Sequence, residues 1–203
     1  MKVALENIGS TEILKLSKTF GLIAEDNSDI EVLKEIFAKF FEQSEFSTKK
    51  FVGNGCGKLR NKCGVWSENL FRRGCDYVFV FHDLDRNDYS ELKRSLESKV
   101  CPKAHPNSLI VIPVEELESW LLSDAAAIQK VFRLSTEPKV RNNVEAIESP
   151  KEYLGSLIWR SGKKKYLNTV HNKKIASATN IESLRKCKSF MRFSDYIESV
   201  VCA

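Results

Sequence analysis

The 203-residue chain is 42% hydrophobic and 29% charged and carries a formal net charge of +5. That balance fits a soluble globular body of one domain, or a core with a modest appendage, and no apolar run approaches the ~18–20 residues that span a bilayer. The mild positive charge permits a nucleic-acid partner without requiring one. The opening stretch MKVALENIGSTEILKLSK has neither a long apolar block nor a small-residue cleavage site, so a secretory signal is not expected and the cytoplasm is the expected location.

In chain order, residues 20–24 (FGLIA) form a short apolar run. Ile30, Leu33, Phe37, Phe40 and Phe41 then recur at helical spacing, with Ser28 and Glu31 placed as a capping box. Residues 46–52 read as a second strand, ended by the turn Gly53-Asn54-Gly55-Cys56-Gly57, and a second helix is expected over about 58–73. Tyr77-Val78-Phe79-Val80-Phe81 is apolar throughout, as suits a strand buried on both faces. A third helix is expected from Asp88, a buried strand at Leu109-Ile110-Val111-Ile112, and a helix from Glu115 to about Leu122. This alternation predicts an α/β fold: a mostly parallel, Rossmann-like four-stranded sheet flanked by helices. It fades after Asp124, so residues 1–124 read as the core and 125–203 as a mainly helical extension packed on it. Helix starts are expected at Ser149-Pro150, Asn180-Ile181-Glu182 and Ser194-Asp195, and Phe190, Phe193, Ile197, Val200 and Val201 are expected to pack the last segment on the core.

The six cysteines (Cys56, Cys63, Cys75, Cys101, Cys187 and Cys202) include no pair two to four residues apart, as zinc sites usually have. They read as free thiols, several of them buried.

The acidic residues carry more. Glu25 follows the first strand, and Asp83 and Asp85 follow the central one with His82 before them. Ligands of parallel sheets bind beyond the carboxyl ends of the strands, so these acids are expected on one rim. Residues two apart in extended backbone share a side, which puts Asp83 and Asp85 together. Three carboxylates in one place need a cation or a proton, and Mg²⁺ (or Mn²⁺), which takes oxygen ligands, is the expected answer. Glu115 and Glu118, after the last strand and three apart, are further metal-ligand candidates, whereas Glu116 and Asp88 read as helix-end charges.

These residues resemble the Toprim domain, in which an acid after the first strand and an Asp-x-Asp motif after a later one bind Mg²⁺; here the matching segments are GLIAEDNSD and FVFHDLDRND. Topoisomerases, primases and the overcoming-lysogenization-defect nucleases share that layout. A closer resemblance is to the small stand-alone bacterial Toprim-like proteins of domain-of-unknown-function family 4276. It is carried by Glu118-Ser119-Trp120-Leu121-Leu122-Ser123-Asp124, Pro150-Lys151 and Ser189-Phe190, over about residues 20–200. The resemblance implies a metal-dependent endonuclease with Glu25, Asp83 and Asp85 as catalytic residues. It also implies a DNA or transfer-RNA substrate, an ABC- or SMC-type ATPase partner and a role in phage defence; a homodimer is a further expectation. In one departure, Ala24 and Asp26 flank Glu25 where many Toprim proteins have a glycine, which makes Asp26 a rival for its role.

Phosphate contacts are expected from Lys58 and Arg60 after the glycine-rich turn, and from Arg160, Lys163, Lys164 and Lys165, with Trp159 and Tyr166 interleaved. Lys173-Lys174 is a further basic stretch, and His82 and His171 are candidate proton shuttles, His82 reading more as a structural residue. Two other functions are open at this stage. Asp-x-Asp also serves haloacid-dehalogenase-like phosphatases, but there a threonine usually follows the second Asp, where this chain has Arg86-Asn87. A non-catalytic docking subunit of an ATPase complex is the second.

Overall fold

The computed structural model describes residues 17–100 and 106–201. Four strands, β1 (Lys18–Ala24), β2 (Phe46–Val52), β3 (Tyr77–Phe81) and β4 (Ser108–Val111), form one all-parallel sheet in the order β2-β1-β3-β4. Helices α1 (Asn27–Phe37), α2 (Cys56–Arg72) and α3 (Tyr89–Glu97) join them in succession. The chain steps outward from β1 to β2, then crosses back over β1 to reach β3. The strand order therefore reverses between β1 and β3, and in open parallel sheets the ligand crevice lies at that reversal. Glu25 and Asp83 follow these two neighbouring strands.

The two-residue period of the strands divides the interior. Phe20, Leu22, Ala24, Phe79 and Phe81 point to one face, and Ile23, Val78 and Val80 to the other. The second face is covered by Leu59, Cys63 and Leu70 of α2 and by Leu92 and Leu96 of α3. Gly21 lets α2 approach closely: a Cβ there would sit 2.9 Å from Leu70 Cδ1 and 3.0 Å from Val78 Cγ2.

On the first face α1 is joined by the C-terminal helices: α4 (Glu118–Leu122), α5 (Ala125–Phe132), α6 (Pro150–Gly162), α7 (Asn168–Ala178), α8 (Ile181–Leu184) and α9 (Lys188–Val201). Buried residues of both halves form one cluster. Phe193 of α9 packs edge-on against Phe37, Phe79 and Phe81 at 5.3–5.8 Å and stacks on Trp120 of α4 at 5.9 Å. Phe190, Ile197 and Val200 are buried as expected; the side chain of Val201 lies outside the described residues.

Local expectations need three corrections. The capping box of α1 is made by Asp26 and Asp29, not Ser28 and Glu31: Asp29 N–H donates to Asp26 Oδ1 and Asp26 N–H to Asp29 Oδ2, both at 3.1 Å. The helix expected from Glu115 begins at Glu118, because Glu115 is left-handed (φ 59°) and ends the approach from β4. Ser194 and Asp195 lie inside α9, whose start at Lys188 is capped instead by Glu145, which accepts from Lys188 N–H (2.9 Å) and Ser189 N–H (3.0 Å). The other starts hold: Asp88 accepts from Glu91 N–H, Asn180 from Ser183 N–H, and Pro150 occupies the first turn of α6. Cys63, Cys75 and Cys187 are buried free thiols and Cys56 is exposed; Cys101 and Cys202 lie outside the described residues.

Candidate metal centre

Two extended ladders build the rim. Beyond β1 and β2, Gly53 N–H donates to Ala24 O (2.9 Å) and Asn54 N–H to Glu25 O (2.8 Å). Asn54 (φ 53°) and Gly55 (φ 115°) then turn the chain into α2, so that Cys56, its first residue, stands beside Glu25. Beyond β3 and β4, Leu84 N–H donates to Pro113 O and Asp85 N–H to Glu115 O, each at 3.1 Å. Asp85 (φ 47°) and Arg86 (φ 60°) are left-handed. That turn overturns the expectation that Asp83 and Asp85 share a side. Asp85 faces Glu25 and Cys56, whereas Asp83 Oδ1 accepts from Leu117 N–H at 3.0 Å.

The ligand atoms of Glu25, Cys56 and Asp85 lie within 4.8 Å of one another, a group that could hold a metal ion. Glu25 Oε1 is buried without a hydrogen-bond partner, a demand that a cation would meet. Burial first, then the charges of Asp85 and Asp26, push the Glu25 carboxyl up to about 7, against the opposing pull of Arg60.

A second set of acids lies next to this one. Burial and the Asp26 charge push Asp29 up to about 8, with Glu118 and Glu25 adding to it. Asp83 is held well above the usual carboxylate range by burial and by Asp29, Glu118, Glu25 and Asp85. Glu118 is 5% exposed; its Oε1 accepts from Asn172 Nδ2 of α7 (2.9 Å), and the Tyr166 hydroxyl lies 3.4 Å away. Without a cation, this crowd of carboxyls is relieved by retaining protons.

The other candidates have more local tasks. Glu115 Oε2 accepts from Arg86 N–H (3.1 Å), fixing the turn that presents Asp85. Glu116 Oε2 accepts from Lys151 N–H at the start of α6 (2.7 Å). Asp26, the possible rival of Glu25, spends one oxygen on the cap of α1. His82 is 1% exposed, and burial lowers its pKa. Its Nδ1 lies 2.6 Å from Asp83 O, a contact that needs the Nδ1–H tautomer, and 3.8 Å from Glu25 Oε1. His171 stacks on Phe132 (4.7 Å), and its Nδ1 lies 3.0 Å from Leu167 N.

Of the basic residues, Lys58 is exposed in the first turn of α2, and Arg60 reaches Asn87 Oδ1 at 3.4 Å beside the acidic rim. Lys163, Lys164 and Lys165 are exposed and lead directly into Tyr166, which ties them to Glu118. Lys163 Nζ stands 5.3 Å from the Trp159 ring centroid. Arg160 and Trp159 line a shallow hollow that contains none of Glu25, Asp29, Asp83, Asp85 and Glu118. Lys173 is consumed by Glu31 (3.0 Å) and Glu35 (3.7 Å).

Sequence reasoning missed Cys56 and Asp29. Neither has a spacing signal: Cys56 is alone in its segment, and Asp29 reads as an ordinary first-turn acid. Only the turn after β2 and the cap of α1 bring them to the rim.

The segment from Glu118 to Asp124 ties the two halves together. Glu118 holds Asn172, Trp120 Nε1 donates to Ser189 Oγ (2.8 Å), and Asp124 accepts from Ala127 N–H and from both Asn180 N–H and Asn180 Nδ2 (2.9–3.1 Å). The family model described as a domain of unknown function (DUF4276) matches residues 24–198. The chain belongs to this family. No curated protein and no solved structure matches the chain. The matched span begins at Ala24, just before Glu25, and takes in every described acid of the rim as well as the Trp120–Ser189 tie.

Proposed function

We propose that the chain is a divalent-metal-dependent nuclease that hydrolyses nucleic-acid phosphodiesters. The observation that carries this reading is the convergence of Glu25 and Asp85, with Asp83 alongside, at the strand reversal, where one buried carboxylate oxygen has no partner. The donor set fits a divalent cation, which would be held through Glu25 and Asp85. Such an ion supplies Lewis-acid activation of water and offsets charge on a phosphate.

The side chains supply the rest. Glu25, whose carboxyl is raised to about 7 without a cation, would give up its proton as it takes the ion and so hold the ion beside the attacking water. Asp83, anchored by Leu117 N–H and surrounded by Asp29 and Glu118, supports the rim from behind and keeps its negative potential high. His82, neutral through burial, fixes the backbone between β3 and Asp83. Arg60 and Lys58 would contact phosphate beside the rim, and Lys163, Lys164 and Lys165 would guide the strand toward it; Arg160 is the weakest of these candidates. Mg²⁺ or Mn²⁺ is the cofactor proposed on the resemblance to Toprim proteins. An ABC- or SMC-type ATPase partner and a phage-defence role rest on that resemblance alone.

The test is cleavage of DNA and transfer RNA by the purified chain with Mg²⁺ or Mn²⁺, with and without an ABC- or SMC-type ATPase. Glu25→Ala and Asp85→Ala should abolish cleavage, and Asp83→Asn should reduce it. Full activity in Glu25→Ala and Asp85→Ala removes this reading. A stable ATPase complex without cleavage under any condition would favour a docking subunit.

A further inference from the structure

We infer that Cys56 is a further ligand of this centre, engaged by thiophilic divalent ions such as Co²⁺, Zn²⁺ or Cd²⁺ and not by Mg²⁺, so that the site binds such ions more tightly than the Mg²⁺ proposed above. The inference rests on the metal reading above and goes beyond it in naming the ligand set and the class of ion.

Three observations converge. The Cys56 Sγ and a carboxylate oxygen of each of Glu25 and Asp85 lie within 4.8 Å of one another. Glu25 Oε1 is buried and unpartnered, and His82 Nδ1, 3.8 Å away, faces the Asp83 carbonyl instead. His82 is itself 1% exposed with Nε2 unpartnered, a second unpaired polar atom in the wall behind Glu25.

The placement of Cys56 is built into the backbone. Asn54 N–H is bound to Glu25 O, and the left-handed pair Asn54 and Gly55 turns the next residue back toward the rim. Cys56 opens a 17-residue helix, which fixes its backbone at the rim. It is exposed, unlike the described cysteines that pack in the interior.

Thiolates select zinc and related ions, whereas Mg²⁺ prefers an all-oxygen shell. On coordination the Cys56 thiol releases its proton to solvent and donates a sulfur lone pair to the ion; no electron is transferred. Mg²⁺ would use Glu25 and Asp85 with waters and leave the sulfur outside.

The experiment is titration of the full chain with Co²⁺, Cd²⁺ and Mg²⁺, read by absorption and calorimetry, for the wild type and Cys56→Ser. We expect a sulfur-to-cobalt charge-transfer band in the near ultraviolet that is absent in Cys56→Ser. Cd²⁺ affinity should fall at least ~10–100-fold, the loss that removing even an indirect partner of a ligand brings, while Mg²⁺ affinity stays unchanged. Cobalt binding without that band, or with the band intact in Cys56→Ser, overturns the thiol ligand and leaves an oxygen-only metal centre standing. No binding of any of the three ions overturns the inference and the metal reading beneath it. A Cys56-dependent band in a protein that cleaves no nucleic acid upholds the inference and removes the nuclease instead.

Discussion

Crowded carboxyls at the rim make stability depend on pH in a direction opposite to that of salt-bridged acids. Asp29 is raised from 3.8 to about 8, mainly by burial and then by Asp26. Between those values the folded chain keeps a proton that the unfolded chain has lost, so stability is fully present below about pH 4 and is lost as pH rises toward 8. One pH unit of that difference is worth ~1.4 kcal/mol, which sets an upper bound of ~6 kcal/mol across the window. Relaxation and water entry at an effective dielectric near 20 reduce the expected cost to about 2–3 kcal/mol at pH 8. Asp29→Asn removes the charge and keeps an oxygen that can accept the Asp26 N–H. In urea titrations with a chelator present, Asp29→Asn should therefore be about 2–3 kcal/mol more stable than the wild type at pH 8 and indistinguishable or slightly weaker at pH 4.5. A divalent ion at a hundred times its dissociation constant should stabilise both proteins by ~2.7 kcal/mol at pH 8, since Asp29 is not among the residues that would hold it. Parallel stability profiles for the two proteins from pH 5 to 8 would refute the claim that Asp29 is charged at a cost.

The sheet was legible because its inner strands are buried on both faces: Phe79-Val80-Phe81 and Leu22-Ile23-Ala24 read as continuous apolar runs, and a run of that kind separated by helical periodicity has few other solutions. The rim was legible for the same reason, since acids directly after such strands must come out at one edge. What could not be read were features set by single φ angles. Asp85 and Glu115 are both left-handed, and nothing in an Asp or Glu announces this. The consequence is large: one turn sends Asp85 toward Cys56 and leaves Asp83 facing Leu117 and Glu118. Long-range ties were equally hidden. Glu118 finds Asn172, and Trp120 finds Ser189, across more than fifty residues of short helices whose order in space has no periodic signature.

Those ties carry the remaining predictions. Trp120 is fully buried between Phe190, Phe193 and Phe81, so Trp120→Ala should cost about 3–5 kcal/mol in urea unfolding, while Trp120→Phe, which loses mainly the bond to Ser189, should cost about 1–2 kcal/mol. Gly21→Val should lower stability by about 1–3 kcal/mol, because its side chain would meet Leu70 and Val78 within the packed face. Replacing Lys163, Lys164 and Lys165 together by Ala should leave stability nearly unchanged, since all three are exposed, yet weaken nucleic-acid binding. The salt dependence separates this effect from misfolding. Each lost phosphate contact lowers the slope of log affinity against log salt by ~0.9 on duplex and ~0.7 on single strands, so a drop of about 2 assigns the segment to the substrate path. An unchanged slope with unchanged affinity would show that these lysines are only a solvated loop, and that Tyr166 meets Glu118 for packing alone.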